Sequence, residues 1–115
     1  MEINGYEIRP GADLTGANLV GADLGNADLS KSNLSSANFT GANLTYAKLI
    51  GANLTNANFT GSILSSGVLN EANIFQTNFT GANLANAKLS NAGTGSSLVP
   101  APNWTIPPFE WQPIT

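Results

Sequence analysis

The chain has 115 residues, which is enough for one domain, and its four Lys/Arg and seven Asp/Glu give a formal net charge of −3. Because only 10% of the residues are charged, the composition excludes a polybasic nucleic-acid-binding protein. The sequence has no cysteine and no histidine, so we expect no metal site, no cofactor, no catalytic residue and therefore no enzyme.

The first eleven residues differ in pattern from residues 12–92, and we predict that residues 1–11 form an N-terminal cap. Asn4 and Arg9 stand where the later pattern has large apolar residues, and Ile3 and Tyr6 supply apolar side chains at other positions. The end of a stack of β-structure exposes unpaired backbone groups and needs such a cover.

Residues 12–92 repeat a five-residue pattern without a gap. Each of sixteen units has a small residue, usually Ala, then usually Asn or Asp, then a large apolar centre and two mostly small or polar residues. The centres are Leu14, Leu19, Leu24, Leu29, Leu34, Phe39, Leu44, Leu49, Leu54, Phe59, Leu64, Leu69, Ile74, Phe79, Leu84 and Leu89. A period of five fits neither an α-helix nor a flat strand, because both would turn many centres toward water. The pattern therefore predicts a chain that turns a corner once per unit.

A second period, of twenty residues, indicates four units per coil. Phe39, Phe59 and Phe79 are twenty residues apart, and the fragment Asn-Phe-Thr-Gly recurs with them. With Leu19 they are predicted to form a core ladder in one interior column. We therefore predict an all-β fold, a quadrilateral parallel β-helix of four coils.

The run of Ala-(Asn/Asp)-(Leu/Phe)-X-X resembles the pentapeptide repeat family, whose members are especially numerous in cyanobacteria. The resemblance covers about 80 of the 115 residues and does not extend to the end of the chain. It implies a right-handed quadrilateral β-helix and says little about function.

The residue two places after each centre is expected to occupy the corner. Gly or Asn at this place suits a type II turn, because the third residue of that turn has positive φ. Six units have another residue there, and for these we expect type I or irregular corners: Lys31, Ser36, Tyr46, Ser66, Glu71 and Gln76.

Three carboxylates stand directly before centres of the first coil: Asp13, Asp23 and Asp28. We interpret them as substitutes for Asn, whose side chain accepts hydrogen bonds from backbone amides in turns. The alternative is an acidic patch. Because they fall on different faces, they do not form the carboxylate pair that acid–base catalysis needs.

A few outward positions hold apolar residues, of which Ile63 and Val68 lie on neighbouring faces of the third coil. We take both as candidate interaction residues. Single exposed apolar side chains are common on protein surfaces, so ordinary exposure is the alternative.

Residues 93–97 are predicted to be a linker, and residues 98–115 a tail with five of the six prolines and both tryptophans. We expect the tail to pack on the β-helix, either as an end cap or as a clasp in a dimer. A proline-rich ligand for another protein is the alternative. Its candidate interaction residues are Trp104, Ile106, Phe109 and Trp111.

The sequence thus predicts a non-enzymatic scaffold or protein–protein interaction module. Its partner is expected to be another protein or a second copy of the chain, and not nucleic acid or a membrane. The alternative is a regulator or inhibitor of a DNA-handling enzyme that imitates the surface of DNA, which a continuous negative face would favour. No signal peptide or transmembrane segment is recognisable, so we expect a cytoplasmic protein.

Overall fold

The computed structural model describes residues 1–93. Residues 94–115 lie outside the described residues, and with them most of the predicted linker and the whole predicted tail, including Trp104, Ile106, Phe109 and Trp111.

The chain begins with a β-hairpin. Strand β1 (Glu2–Ile3) pairs antiparallel with strand β2 (Tyr6–Glu7). Asn4 and Gly5 join the strands with φ angles of 53° and 84°. Two successive positive φ angles define the type I′ turn, whose twist matches that of the two strands.

The hairpin contacts the coil that comes after it. The backbone N–H of Asn18 donates to the Tyr6 hydroxyl at 3.2 Å, and the Asn4 side-chain amide donates to the carbonyl of Asn18 at 3.3 Å. Ile3 and Tyr6 pack partly buried against the core, and Ile8 is buried within it. The hairpin therefore covers part of the first coil.

Beyond the hairpin, the described chain is held by parallel β-bridges between residues twenty positions apart. The bridges form four columns, which define four faces. Face 1 is Asp13–Asn33–Asn53–Asn73–Gly93, face 2 is Asn18–Asn38–Asn58–Asn78, face 3 is Asp23–Asn43–Ile63–Asn83 and face 4 is Asp28–Lys48–Val68–Lys88.

Backbone hydrogen bonds join each coil to the next in a fixed pattern. For example, the N–H of Leu14 donates to the carbonyl of Asn33 at 2.8 Å, and the N–H of Asn33 donates back to the carbonyl of Ala12 at 2.9 Å. These bonds hold the residue before each centre in its column. The centre itself then points inward.

The core is a stack of the predicted centres, each of which is at most 4% exposed. In the column behind face 2, Leu19, Phe39, Phe59 and Phe79 are all buried. The rings of Phe39 and Phe59 stack with their centroids 4.5 Å apart, and those of Phe59 and Phe79 lie 5.5 Å apart. Such aromatic pairs stabilise a core beyond the area that they bury.

The prediction of mixed corners is wrong. The six residues for which type I or irregular corners were expected all have positive φ, from 55° at Gln76 to 64° at Glu71. A hydrogen bond closes the corner at Tyr46, where the N–H of Ala47 donates to the carbonyl of Leu44 at 2.9 Å. Positive φ at the third residue of a hydrogen-bonded turn is the type II pattern.

Hydrogen bonds between coils explain why local preference does not decide these corners. The N–H of Tyr46 donates to the carbonyl of Ser65 in the next coil at 3.0 Å. The left-handed backbone conformation destabilises a residue that has a side chain by about 1–2 kcal/mol. A type I corner would displace this N–H and break the bond between coils, and an unpaired backbone group costs about as much.

Ser36 provides a test of this explanation, because it lies at an exposed corner with φ of 59°. We expect Ser36→Gly to raise the free energy of unfolding by up to about 1 kcal/mol, since Gly adopts positive φ without steric cost. Ser36→Val should lower it by about 1–2 kcal/mol, because a β-branched side chain clashes there. Urea unfolding of both variants measures the difference, and the reverse order would contradict the explanation.

Candidate interaction surface

Most outward positions of the coils serve the fold. At twelve places directly before a centre the residue is Asn or Asp, and its Oδ1 accepts the backbone N–H of the residue two places later. Asn38 shows the pattern, since its Oδ1 accepts from the Thr40 N–H at 3.0 Å and from the Thr40 hydroxyl at 2.6 Å. These Asx turns fix the backbone just before each corner.

The carboxylates of the first coil have this same role. Asp13 Oδ1 accepts from the N–H of Thr15 at 3.2 Å, and Asp28 Oδ1 accepts from the N–H of Ser30 at 3.0 Å. The hydroxyl of Thr15, and then its N–H, lower the pKa of Asp13 below its ordinary value of 3.8. The hydroxyl and N–H of Ser30 lower the pKa of Asp28 in the same way, and Lys48 adds a smaller contribution.

These lowered pKa values predict that acid destabilises the fold. A carboxyl whose folded pKa lies below its unfolded pKa stabilises the protein above the unfolded pKa, near 3.8, and loses that contribution as the pH falls through the folded pKa. The variant Asp13→Asn/Asp28→Asn keeps both acceptors but cannot be protonated in this range. We expect its thermal midpoint to fall less than that of the natural chain between pH 5 and about pH 2.5. Parallel curves for the two proteins would refute this.

Four places before a centre hold neither Asn nor Asp, and all four lie on two adjacent faces. Ile63 is on face 3, and Lys48, Val68 and Lys88 are three successive members of face 4. None of the four side chains can accept the Asx hydrogen bond. Within residues 1–93, no side chain accepts the backbone N–H of the residue two places after any of them. These two faces therefore give up hydrogen bonds that the other faces keep.

The same two faces carry a group of apolar side chains, which we call the Tyr46 patch: Tyr46, Ile50, Ile63 and Val68. Tyr46 lies at the corner between faces 3 and 4 and is 61% exposed. Ile63 is 42% exposed, and Ile50 and Val68 are half-buried. The bridge pattern thus places both apolar candidates, Ile63 and Val68, next to the corner that Tyr46 occupies.

Charge also favours face 4. All three lysines of the chain are on this face, with Lys48 and Lys88 in the bridge column and Lys31 at the adjoining corner. The twenty-residue period was sufficient to find this. No column among residues 1–93 is acidic along its length, since Asp13, Asp23 and Asp28 each begin a different one.

The described residues contain no group of three or more Asp, Glu, His or Cys side chains that could hold a metal ion. No helix within residues 1–93 is long and apolar enough to cross a membrane.

The family model for pentapeptide repeats (8 copies) matches residues 11–45, 37–74 and 68–92, which is more than half of the chain. The chain belongs to the pentapeptide repeat family. Proteins of this family fold as right-handed β-helices, and they are generally structural or interaction modules rather than enzymes. A comparison with curated proteins finds no match.

Solved pentapeptide repeat structures resemble this chain. A pentapeptide repeat protein from the thylakoid lumen of Arabidopsis thaliana is 32% identical over 73% of this chain and 62% of its own, with a TM-score of 0.64. A trypsin-treated variant of QnrB1, a plasmid-mediated fluoroquinolone resistance protein, is 19% identical over 84% of this chain and 58% of its own, with a TM-score of 0.54. HetL from the cyanobacterium Nostoc is involved in regulating heterocyst differentiation. It is 24% identical over 82% of this chain and 59% of its own, with a TM-score of 0.32.

This pentapeptide repeat protein therefore spans less than two thirds of the length of these structures. The likeness to QnrB1 concerns the fold alone.

Proposed function

We propose that this protein is a non-enzymatic scaffold that binds a protein partner through faces 3 and 4. The observation that carries the proposal is the placement of Lys48, Ile63, Val68 and Lys88, the four departures from Asn or Asp, on these two faces. Each gives up a hydrogen bond that contributes about 0.5–1.5 kcal/mol. A surface selected for folding alone would keep these bonds, as the other faces do.

The Tyr46 patch supplies what a protein interface needs at its centre. Tyrosine is among the residues that contribute most to binding, because its ring gives a large contact area at a small cost in conformational entropy. The aliphatic side chains of Ile63 and Val68 lie on either side of this corner. A group of apolar side chains on neighbouring faces favours an interaction surface, whereas exposed Val20 and Phe75 stand singly on faces 2 and 1.

The family assignment does not specify the number of coils or the N-terminal cap of the β-helix that presents this surface. We propose four coils, formed by the sixteen repeats of residues 12–92, with residues 1–11 as the N-terminal cap. The bridges between residues twenty apart support the coil length, and the two hydrogen bonds between the hairpin and Asn18 support the cap.

For the C-terminal region the proposal rests on sequence. The predicted linker is residues 93–97, of which Gly93 pairs with Asn73 on face 1. The tail of residues 98–115 would pack on the β-helix through four apolar side chains, as an end cap or as a clasp between two copies: Trp104, Ile106, Phe109 and Trp111. Both tryptophans are in the tail, so their fluorescence reports on it alone. Emission that is typical of exposed tryptophan and unchanged on unfolding would refute packing. A change in the mass in solution after truncation at Ala92 would identify the clasp.

Imitation of a DNA surface is not favoured, since the columns of the described chain lack the continuous line of carboxylates that it requires.

A photoreactive amino acid tests the proposed binding surface. Benzoylphenylalanine replaces Tyr46 in one variant and Val20 in a control, since Val20 is also apolar and 49% exposed but lies on face 2. Irradiation in the native lysate should give a discrete cross-linked protein from the Tyr46 variant only, and an excess of the natural chain should compete it away. Equal products from both variants, or none, would refute the proposed surface.

A further inference from the structure

The three lysines form an arrangement around the apolar part of face 4. Lys48 and Lys88 are the bridge partners of Val68 on its two sides. The stem of Lys31 lies beside the second coil, where a Cβ placed on Gly51 would be 3.6 Å from Lys31 Cγ. Face 4 therefore presents an apolar side chain between two cations, with a third cation near its N-terminal end.

None of these lysines forms an ion pair with a carboxylate among residues 1–93, although the charge of Lys48 contributes to lowering the pKa of neighbouring Asp28. The ion pair found there joins the N-terminal ammonium to Glu7 at 3.1 Å. Asp28 precedes Lys48 in the column, but its Oδ1 accepts the N–H of Ser30 and the two side chains form no ion pair. Glu71 lies at the same corner of the face as Lys31, two coils later, and also forms no ion pair. The ammonium groups are therefore available to a partner.

The spacing of the two cations indicates which secondary structure fits. Lys48 and Lys88 are two coils apart, or about 10 Å at the usual spacing of paired strands. Residues i and i+7 of an α-helix lie on the same side of the helix and are separated by about 10.5 Å. Residues i+3 and i+4 lie between them on that side. On an extended strand, residues about 10 Å apart differ by three positions and point to opposite sides.

We propose that face 4 binds an acidic amphipathic helix of a partner protein. Two carboxylates seven residues apart would lie over Lys48 and Lys88, and the apolar residues between them would cover Val68 and approach Ile50 and Tyr46. This inference rests on the proposed function and names the chemistry of the partner. It also explains why three successive positions of one column lack the Asx acceptor, because Asn there would supply neither cation nor apolar contact.

Synthetic helical peptides test the inference with the full-length chain. One peptide has two glutamates seven residues apart with two leucines midway, a second has lysines in place of the glutamates, and a third has the same composition with the glutamates on opposite sides of the helix. Binding is measured by fluorescence anisotropy at low and high salt. We expect the first peptide to bind at least about tenfold more tightly than the other two, and less tightly at high salt.

A charge exchange locates the site. The variant Lys48→Glu/Lys88→Glu should lose at least about tenfold in affinity for the glutamate peptide and gain affinity for the lysine peptide. Ser36→Glu/Gln76→Glu adds two negative charges at exposed corners between faces 1 and 2, away from face 4, and should leave both affinities within about twofold. Equal binding of the three peptides, no binding, or an unchanged affinity in the double variant would overturn the inference.

The cross-linking experiment distinguishes this failure from a failure of the proposed function. If no peptide binds but the Tyr46 variant still gives a competed product, the surface binds a protein by another chemistry and the helix proposal alone is wrong. If both experiments fail, the surface assignment is wrong as well.

Discussion

Replacing Phe59 by Ala is expected to lower the free energy of unfolding by about 3–5 kcal/mol. Phe59 is fully buried, and its ring is sandwiched between those of Phe39 and Phe79 at 4.5 and 5.5 Å. Alanine would leave a cavity between two rings that are fixed by their own coils. Because the bonds between coils hold the backbone in register, the cavity cannot close by a local shift. Denaturant unfolding followed by circular dichroism measures the loss.

Phe75 provides the matched control, since Phe75→Ala removes the same atoms from an outward position that is 40% exposed. We expect this variant to lose less than about 1 kcal/mol. A loss of less than about 1 kcal/mol for Phe59→Ala, or equal losses for the two variants, would contradict the stacked core.

Two serines at equivalent places are expected to respond to alanine in opposite directions. Ser32 Oγ accepts the N–H of Ala12 at 3.1 Å and donates to the carbonyl of Arg9 at 3.2 Å. Ser62 Oγ is also buried but has no hydrogen-bond partner. We expect Ser32→Ala to lower the free energy of unfolding by about 1–3 kcal/mol, and Ser62→Ala to raise it by about 1 kcal/mol.

The two serine variants control for each other, because both restore the residue that most units have at this place. Thermal unfolding of both, beside the natural chain, gives the comparison. If both variants shift the midpoint in the same direction, the difference in hydrogen bonding does not govern their stability.

The sequence was sufficient to predict the five-residue repeat and the side chains that share a column, because both depend only on spacing. A twenty-residue interval between Phe39, Phe59 and Phe79 leaves no other column for the rings once the chain turns at every fifth residue. The same interval places Lys48, Val68 and Lys88 in one line. The dipeptide Asn4–Gly5 is a strong hairpin signal and was available as well.

The sequence was not sufficient for the corners or the serines, because both depend on neighbours in the adjacent coils. Local preference argues against positive φ at Tyr46, but the next coil fixes the position of its N–H. Ser32 and Ser62 share a place in the repeat. They differ at the corner of the preceding coil. The Ala12 N–H and the Arg9 carbonyl beside Ser32 are joined by a long bond of 3.3 Å, and both also bond Ser32 Oγ. The equivalent Ala42 N–H and Phe39 carbonyl beside Ser62 are joined at 2.9 Å.

The bridge interval of twenty residues has a consequence for how such a surface can change in length. Inserting or deleting a multiple of twenty residues keeps every later side chain on its face, so a binding face can be extended without being redesigned. Deleting one five-residue unit, such as Gly67–Glu71, turns everything after it by a quarter of a revolution. Lys88 would then come after Asn43 and Ile63 on face 3, and the alignment with Lys48 would be lost. The number of coils can therefore vary in evolution, whereas a change in the number of units that is not a multiple of four moves the later side chains to other faces.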